Sequence, residues 1–187
     1  MGSTFIAKTR RALKDRAPSV ADGHSMSPAA VLLPLYRVDG DMCVVLQKRS
    51  ETVEHHKGEI SFPGGMADAA DGSLLETALR EADEEMGIDP ADVDVLGRLD
   101  DTPTITGFMI STYVGVLPSP YEFTPSDREV AEVVTAPLSA LYDANARRSE
   151  ARLKEGAVHT MPVFVHDGHV IFGATARILD QFLSLTG

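Results

Sequence analysis

From Phe62 to Ile88 the chain reads F-P-G-G, a spacer, S-x-x-E, and then R-E-A-D-E-E-M-G-I. Few folds accommodate that order. Pro63 stops a strand because it has no N–H to give to a ladder. Gly64 and Gly65 let the backbone pass close to a ligand or offer it a carbonyl. Ser73 and Glu76 form a capping box, Gly87 stands where a left-handed residue ends a helix, and Pro90 lies just beyond. A well-bounded helix over 73–86 follows. Residues three and four apart share a helical face, so Glu81, Glu84 and Glu85 project together while Leu79, Ala82 and Met86 turn inward. Three crowded carboxylates repel one another, and hard oxygen ligands so arranged suit Mg²⁺ or Mn²⁺. Arg80 lies four residues before Glu84 and can hold that side chain. An isolated E-x-x-E-E is usually solvated surface. Its joint occurrence with F-P-G-G at a fixed spacing points instead to a metal cradle for phosphate oxygens. A cation bridging a diphosphate there can activate water, polarise phosphorus and stabilise the leaving oxygen.

The rest of the chain supplies a scaffold. Residues 3–16 read as a basic helix with Phe5, Ile6, Ala12 and Leu13 as a modest apolar stripe, followed by a Pro-, Ser- and Gly-rich stretch to Pro28. An organellar targeting peptide is the rival reading of this Arg-rich segment, although it is short and Asp15 interrupts it. The domain division is therefore an N-terminal helix and linker over 1–28 and a catalytic domain over 29–187. Strands over 29–38 and 42–48 flank Asp39-Gly40-Asp41, a hairpin signal. Further strands are expected over 59–62, 93–100, 108–117 and 129–135, and helices over 137–142 and 145–153. A second hairpin, 158–166 with 169–172, turns across Asp167-Gly168. A closing amphipathic helix over 174–185 carries Ile178, Leu179, Phe182 and Leu185. Hairpins around one capped helix indicate an α/β fold with a mixed sheet and helices on its faces. No G-x-G-x-x-G is present, and the order is not a regular βαβ series.

Composition narrows the function. The 187 residues are 43% hydrophobic and 24% charged, ordinary for a globular protein of one domain. No apolar run approaches the roughly 20 residues of a membrane span, so no membrane partner is expected. The single cysteine, Cys43, excludes an internal disulfide and a Cys-based zinc cluster, and a cytoplasmic enzyme is the default. Residues 1–28 hold five Lys/Arg against Asp15 and Asp22, a net of +3, which leaves −14 on the remainder of a chain whose total is −11. Such an acidic body repels a polyanionic duplex, so a nucleic-acid polymer is excluded as a partner. A small phosphorylated substrate remains compatible if divalent cations and a few arginines reverse the local field.

The segment resembles the signature of the Nudix hydrolase family: Gly, five residues, Glu, seven residues, then Arg-Glu-apolar-x-Glu-Glu-x-Gly-apolar. The second half is intact from Arg80 to Ile88. In the first half the interval from Gly65 to Arg80 is one residue longer than usual, and Asp71 stands near the place of the first Glu. The resemblance implies an α/β/α sandwich with a mixed sheet, here with an added N-terminal helix. It also implies metal coordination by Glu81 and Glu85, with Glu84 and the Gly65 carbonyl assisting, and a small-molecule diphosphate substrate. Glu84 is the candidate general base, with Glu129 and Glu59 as rivals. Family members pair through sheets or N-terminal segments, so a homodimer stays open.

A second pattern lies upstream: Leu46-x-x-Arg49-Ser50, Gly58 and Phe62-Pro63-Gly64-Gly65. It is similar to the motif of the coenzyme A pyrophosphatase subfamily, L-x-x-R-S-x₃-R-x₃-G-x₃-F-P-G-G. Asp68 and Asp71, the run 97–101, Glu129-Val130-Ala131 and residues 172–177 extend the likeness across most of 29–185. It implies hydrolysis of coenzyme A or acyl-CoA to 4′-phosphopantetheine and adenosine 3′,5′-bisphosphate. Arg49, Lys57, Gly64 and Gly65 are the implied substrate contacts, with Lys48 as a further cation. Glu54 departs from the motif by reversing the second basic residue. That keeps two alternatives alive: hydrolysis of another nucleoside diphosphate derivative (ADP-ribose, a dinucleotide or a nucleoside triphosphate), and a non-catalytic Nudix-fold binding module.

Other residues have plainer readings. Adjacent His55 and His56 diverge and make a poor metal pair. Cys43 alternates with apolar neighbours and reads as core. Asp100-Asp101 fits a strand-end turn about as well as a metal site, and Arg177 fits a surface ion pair about as well as a substrate contact.

Overall fold

The computed structural model describes residues 2–19, 25–52, 56–154 and 157–187. Helix α1 (Gly2–Lys14) precedes a long strand β1 (Ser27–Val38), which turns through Asp39 and Gly40, both at positive φ, into β2 (Asp41–Arg49). The hairpin pairs only at its closed end, from Leu35↔Val44 to Val38↔Asp41. Beyond that the two strands separate, and β3 (Ile60–Ser61) and β4 (Gly64–Met66) fill the fork. β3 pairs with Gln47 and Lys48 of β2, while β4 pairs with Ala29–Val31 of β1. The F-P-G-G bend therefore crosses from one arm of the hairpin to the other. Leu32 donates its N–H to the Pro63 carbonyl at 3.0 Å and pins the crossing.

Helix α2 (Leu74–Met86) has Ser73 as N-cap and Gly87 as its left-handed terminator. The cap departs from the expected box in one detail. Ser73 accepts from the Glu76 N–H, but the Glu76 carboxylate reaches the N–H of Gly72 rather than that of Ser73. Gly87 N–H to Asp83 makes an αL ending, and Ile88 N–H to Ala82 satisfies a further carbonyl. Strands β5 (Asp94–Arg98), β6 (Thr102–Pro103) and β7 (Phe108–Val116) follow, with β7 parallel to β1 and antiparallel to β5 and β6. Strand β8 (Val130–Pro137) closes the other side on β2. The result is a mixed sheet of eight strands.

Alternation along the strands sends side chains to two cores. Leu32 and Val45 meet Ala82, Met86 and Ile88 under α2, whereas Leu33, Leu35, Val44 and Leu46 face α1 and the closing helix α4 (Gly173–Thr186). Leu13 of α1 is buried in that second core, and a Cβ on Gly97 would stand 2.7 Å from the Leu13 Cβ. Burying such a leucine is worth roughly 1.5–3 kcal/mol. The N-terminal helix thus packs on the sheet, and part of the linker after it, residues 20–24, lies outside the described residues. The layers are helix, mixed sheet, helix, as the α/β/α expectation requires.

One expected element is different. Residues 145–153 are not helical: after the short helix α3 (Leu138–Leu141), Arg147–Lys154 form strand β9, paired antiparallel with β10 (Ala157–His166). The Arg, Glu, Leu and Lys of this stretch favour a helix locally, but pairing with β10 satisfies its backbone and overrides that weak preference. β10 turns at Asp167-Gly168 into β11 (His169–Ile171), making a small second sheet.

Candidate active site

The last turn of α2 is aimed at the fork in the hairpin. Glu85 is 2% exposed, and its Oε2 accepts from Gln47 Nε2 at 2.7 Å and from the Gly64 N–H at 2.8 Å. Its other oxygen, Oε1, accepts from the Arg49 guanidinium at 3.2 Å. Gln47 and Arg49 stand two apart on β2, so both point to the α2 face. Burial pushes the Glu85 carboxyl up to about 7, against the lowering effect of the Gly64 and Gln47 hydrogen bonds and the Arg49 charge.

One turn earlier, the Glu81 carboxylate lies over Gly65. A Cβ there would meet the Glu81 carboxyl at 2.5 Å, so any side chain at 65 would push that carboxyl off the bend. Burial raises the Glu81 carboxyl as well, Arg80 opposes the rise, and the charges of Glu84 and Glu129 add to it. Glu129 therefore stands close enough for its field to reach Glu81, while Glu59 is engaged by the His56 ring at 2.9 Å. Glu84 is the outermost of the three: its side chain is 59% exposed, and the Arg80 nitrogen that reaches Glu81 also binds it, at 3.1 Å.

Arg80 organises the outer edge. Its Nε and one terminal nitrogen grip Asp71 at 3.0 and 3.1 Å, and the other terminal nitrogen reaches Glu81 at 2.9 Å. Asp71 also accepts from Thr77 and from the Asp68 N–H. These bonds, with the Arg80 one foremost, hold the Asp71 carboxyl well below the usual carboxylate range, and the same contact raises Arg80. The acid that replaces the first Glu of the signature is thus an anchor for Arg80.

Glu81, Glu84 and Glu85 share one helix but not one point. Among the described residues no three His, Cys, Asp or Glu side chains form a ready metal cage. Glu81 and Glu85 border the Gly64–Gly65 bend, and Arg80 bridges Glu84 to Glu81 through one nitrogen. The donors nevertheless fit a hard divalent cation. Two carboxylates raised by burial lack full charge compensation, and the Oε1 of Gln47, next to Glu85, is buried without a partner among the described residues.

Other expected residues lie elsewhere. Lys57 is exposed on the loop before β3, and Glu54 and His55 fall outside the described residues. Asp100 is bound by Arg16, Ser19 and Gln181, and Asp101 by Arg98 and Ser111, so both serve the packing of the N-terminal segment and β7. Arg177 donates to the Pro103 carbonyl, and Cys43 is a buried free thiol. The role of Gln47 escaped the sequence reading. Its only signal was a polar residue at an inward position of β2.

Residues 26–155 match the model of the NUDIX domain. An uncharacterised Nudix hydrolase NudL from Pectobacterium atrosepticum is 34% identical over 170 residues, covering 88% of this chain and 85% of the relative. The NudL of Photorhabdus laumondii is 35% identical over 153 residues, covering 82% and 81%. Among solved structures, the fold is similar to the Nudix hydrolase RenU of M. smegmatis, with a TM-score of 0.58 at 21% identity, covering 89% of this chain and 98% of that one. A MutT/nudix family protein of Enterococcus faecalis gives 0.57 at 12% identity, covering 94% and 71%. Among the described residues no helix is long and apolar enough to cross a membrane.

Proposed function

The chain belongs to the Nudix hydrolase family, and we propose that it cleaves the diphosphate of coenzyme A or its thioesters, with Mg²⁺ or Mn²⁺ held by Glu81 and Glu85. Pyrophosphohydrolase chemistry on a small-molecule diphosphate is what membership brings. One observation carries the finer reading: the motif strand L46-x-x-R49-S50 delivers Gln47 and Arg49 directly onto Glu85. The arginine of the coenzyme A pattern therefore meets the acidic helix at the F-P-G-G bend, beside Gln47, which the pattern leaves unspecified.

Water adds across the phosphoanhydride, one phosphorus taking the hydroxyl oxygen and the bridging oxygen leaving with the other. The products are 4′-phosphopantetheine, S-acylated when the substrate is a thioester, and adenosine 3′,5′-bisphosphate. A bound divalent cation supplies Lewis-acid stabilisation of the charge on the diphosphate oxygens. Gly64 and Gly65 allow the diphosphate to approach the backbone, and Gln47 and the Gly64 N–H fix the Glu85 carboxylate. Exposed Glu84 is the proposed proton acceptor for the attacking water, with Glu129 as its competitor. Arg49 and Lys57 are the proposed phosphate partners, and a guanidinium suits that task by its planar fork.

The test is product analysis with Mg²⁺ or Mn²⁺ across coenzyme A, acetyl-CoA, ADP-ribose, diadenosine polyphosphates and deoxynucleoside triphosphates. Release of 4′-phosphopantetheine at the highest kcat/KM supports the reading. Preference for ADP-ribose, a dinucleotide or a triphosphate replaces it with the second one, which the charge reversal at Glu54 favours. No turnover of any of them would leave a binding module.

A further inference from the structure

Two arginines meet the acidic helix, and they meet it differently. Arg80 is saturated: it grips Asp71 with two nitrogens and touches Glu81 and Glu84 with the third. Arg49 is not. It offers Glu85 one terminal nitrogen at 3.2 Å, and its Nε is buried with no partner among the described residues. Its side chain is only 23% exposed, so water does little to satisfy that donor. The Arg49 backbone is fixed, its N–H on the Glu59 carbonyl at 2.9 Å and its carbonyl accepting from Gly58 at 3.1 Å. The β2–β8 register also shifts between Lys48 and Arg49, an irregularity of the kind that re-aims a side chain. A rigid anchor thus carries a cation that is single-bonded, partly unsatisfied and directed at a nearly buried carboxylate.

We propose that Arg49 is a displaceable counter-ion of Glu85: it neutralises the carboxylate until a divalent cation does so, and the freed guanidinium then serves the substrate diphosphate. The proposal rests on the metal-dependent hydrolase reading above. Two cations within reach of one carboxylate repel each other, so cation loading weakens the Arg49 contact by Coulomb's law. Gln47 and Gly64 hold the other oxygen, Oε2, so Glu85 keeps its place while its partner on Oε1 changes. The free Nε and the second terminal nitrogen of Arg49 give the fork that a phosphate accepts.

The experiment uses Mn²⁺ alone, with no substrate, at one fixed pH. Melting temperatures of wild type and Arg49→Gln are compared in EDTA and at saturating Mn²⁺, with Mn²⁺ uptake followed by calorimetry. In EDTA, Arg49→Gln should melt about 3–6 °C lower than wild type, and saturating Mn²⁺ should close that gap. Arg49→Lys, which retains the charge, should stay near wild type in EDTA. In a Glu85→Gln background, Arg49→Gln should cost nothing further. A gap that persists undiminished in Mn²⁺, or no gap in EDTA, overturns the proposal alone. Wild-type protein that takes up no Mn²⁺ overturns both the proposal and the reading beneath it. Should Arg49→Gln not fold, the Arg49→Lys comparison decides: a large loss despite the retained charge overturns the counter-ion role.

Discussion

Glu85 Oε2 lies 2.8 Å from the Gly64 backbone nitrogen, joining the end of the acidic helix to the bend that crosses the hairpin fork. Gln47 donates to that same oxygen, whereas Arg49 donates to the other. A glutamine at position 85 can place its carbonyl oxygen where Oε2 now sits, keep both of the first two bonds, and turn its NH₂ toward Arg49. Glu85→Gln should therefore keep the fold, because it loses one contact while removing a desolvated charge. A second-layer partner of a metal ligand is typically worth 10–100-fold, so loss of the ligand itself should lower kcat/KM by at least about 100-fold. Steady-state turnover with Mg²⁺ and a urea melt check the two halves. Undiminished turnover would place the metal elsewhere.

The adjacent glycines should fail in different ways. Gly64 has φ +155°, and a Cβ on it would lie 2.7 Å from the Val31 Cα, a backbone atom that cannot move aside. Gly64→Ala should cost about 3 kcal/mol or more, from overpacking and backbone strain together. At Gly65 the atoms in the way are the Glu81 carboxyl, the far end of a flexible side chain. Gly65→Ala should unfold at a urea midpoint near that of wild type, yet bind Mn²⁺ more weakly because Glu81 is pushed off the bend. Calorimetry and denaturation of the pair separate the outcomes. Equal loss of stability in both variants would contradict this division.

The raised Glu85 carboxyl makes metal-free stability depend on pH in a stated direction. Its ordinary value is 4.5 and burial takes it to about 7, so between those values the folded protein binds a proton more readily than the unfolded chain. The stability this group contributes is complete below the lower value and is lost as pH rises through the upper one. In EDTA, wild type measured against Glu85→Gln should lose about 2–3 kcal/mol between about pH 5 and about pH 8. Asp71 acts oppositely, its contribution present above 3.8 and lost in acid, so the two windows do not overlap. Mn²⁺ affinity should climb toward about pH 7 and level off above it, since the cation competes with the proton. A flat difference curve would mean that Glu85 titrates ordinarily.

Elements with local punctuation were legible in the sequence. Ser73 and Gly87 bound α2, and Asp39-Gly40 closes the first hairpin, because caps and turns are written in adjacent residues. Strand β9 was not, because the residues of 147–154 favour a helix until β10 pairs with them. The splayed hairpin was equally hidden. Gly64–Met66 carries no strand pattern and becomes β4 only because β1 offers it an open edge. The site followed the same rule. The helical spacing of Glu81 and Glu85 could be read, but the contacts of Glu85 with Gln47 and Arg49 span 38 and 36 residues and depend on the fork. The i, i+4 spacing gave the Arg80–Glu84 contact, but not the division of the Arg80 donors among Asp71, Glu81 and Glu84.

That division yields a last prediction. Arg80 acts on the site through Glu81, and its own position is set by the two-bond grip on Asp71. A lysine keeps the charge but not the fork, so it cannot hold Asp71 and both glutamates together. Arg80→Lys should lower kcat by about 10–100-fold, the range for residues that orient metal ligands, with a smaller effect on KM. Asp71→Asn should act in the same direction, because it removes the charge that fixes the guanidinium. If the two residues work as one unit, the double variant should be no worse than Arg80→Lys alone, a non-additivity that a double-mutant cycle on kcat measures. Strictly additive losses would mean that Asp71 serves the loop over 68–72 and Arg80 serves Glu81 independently.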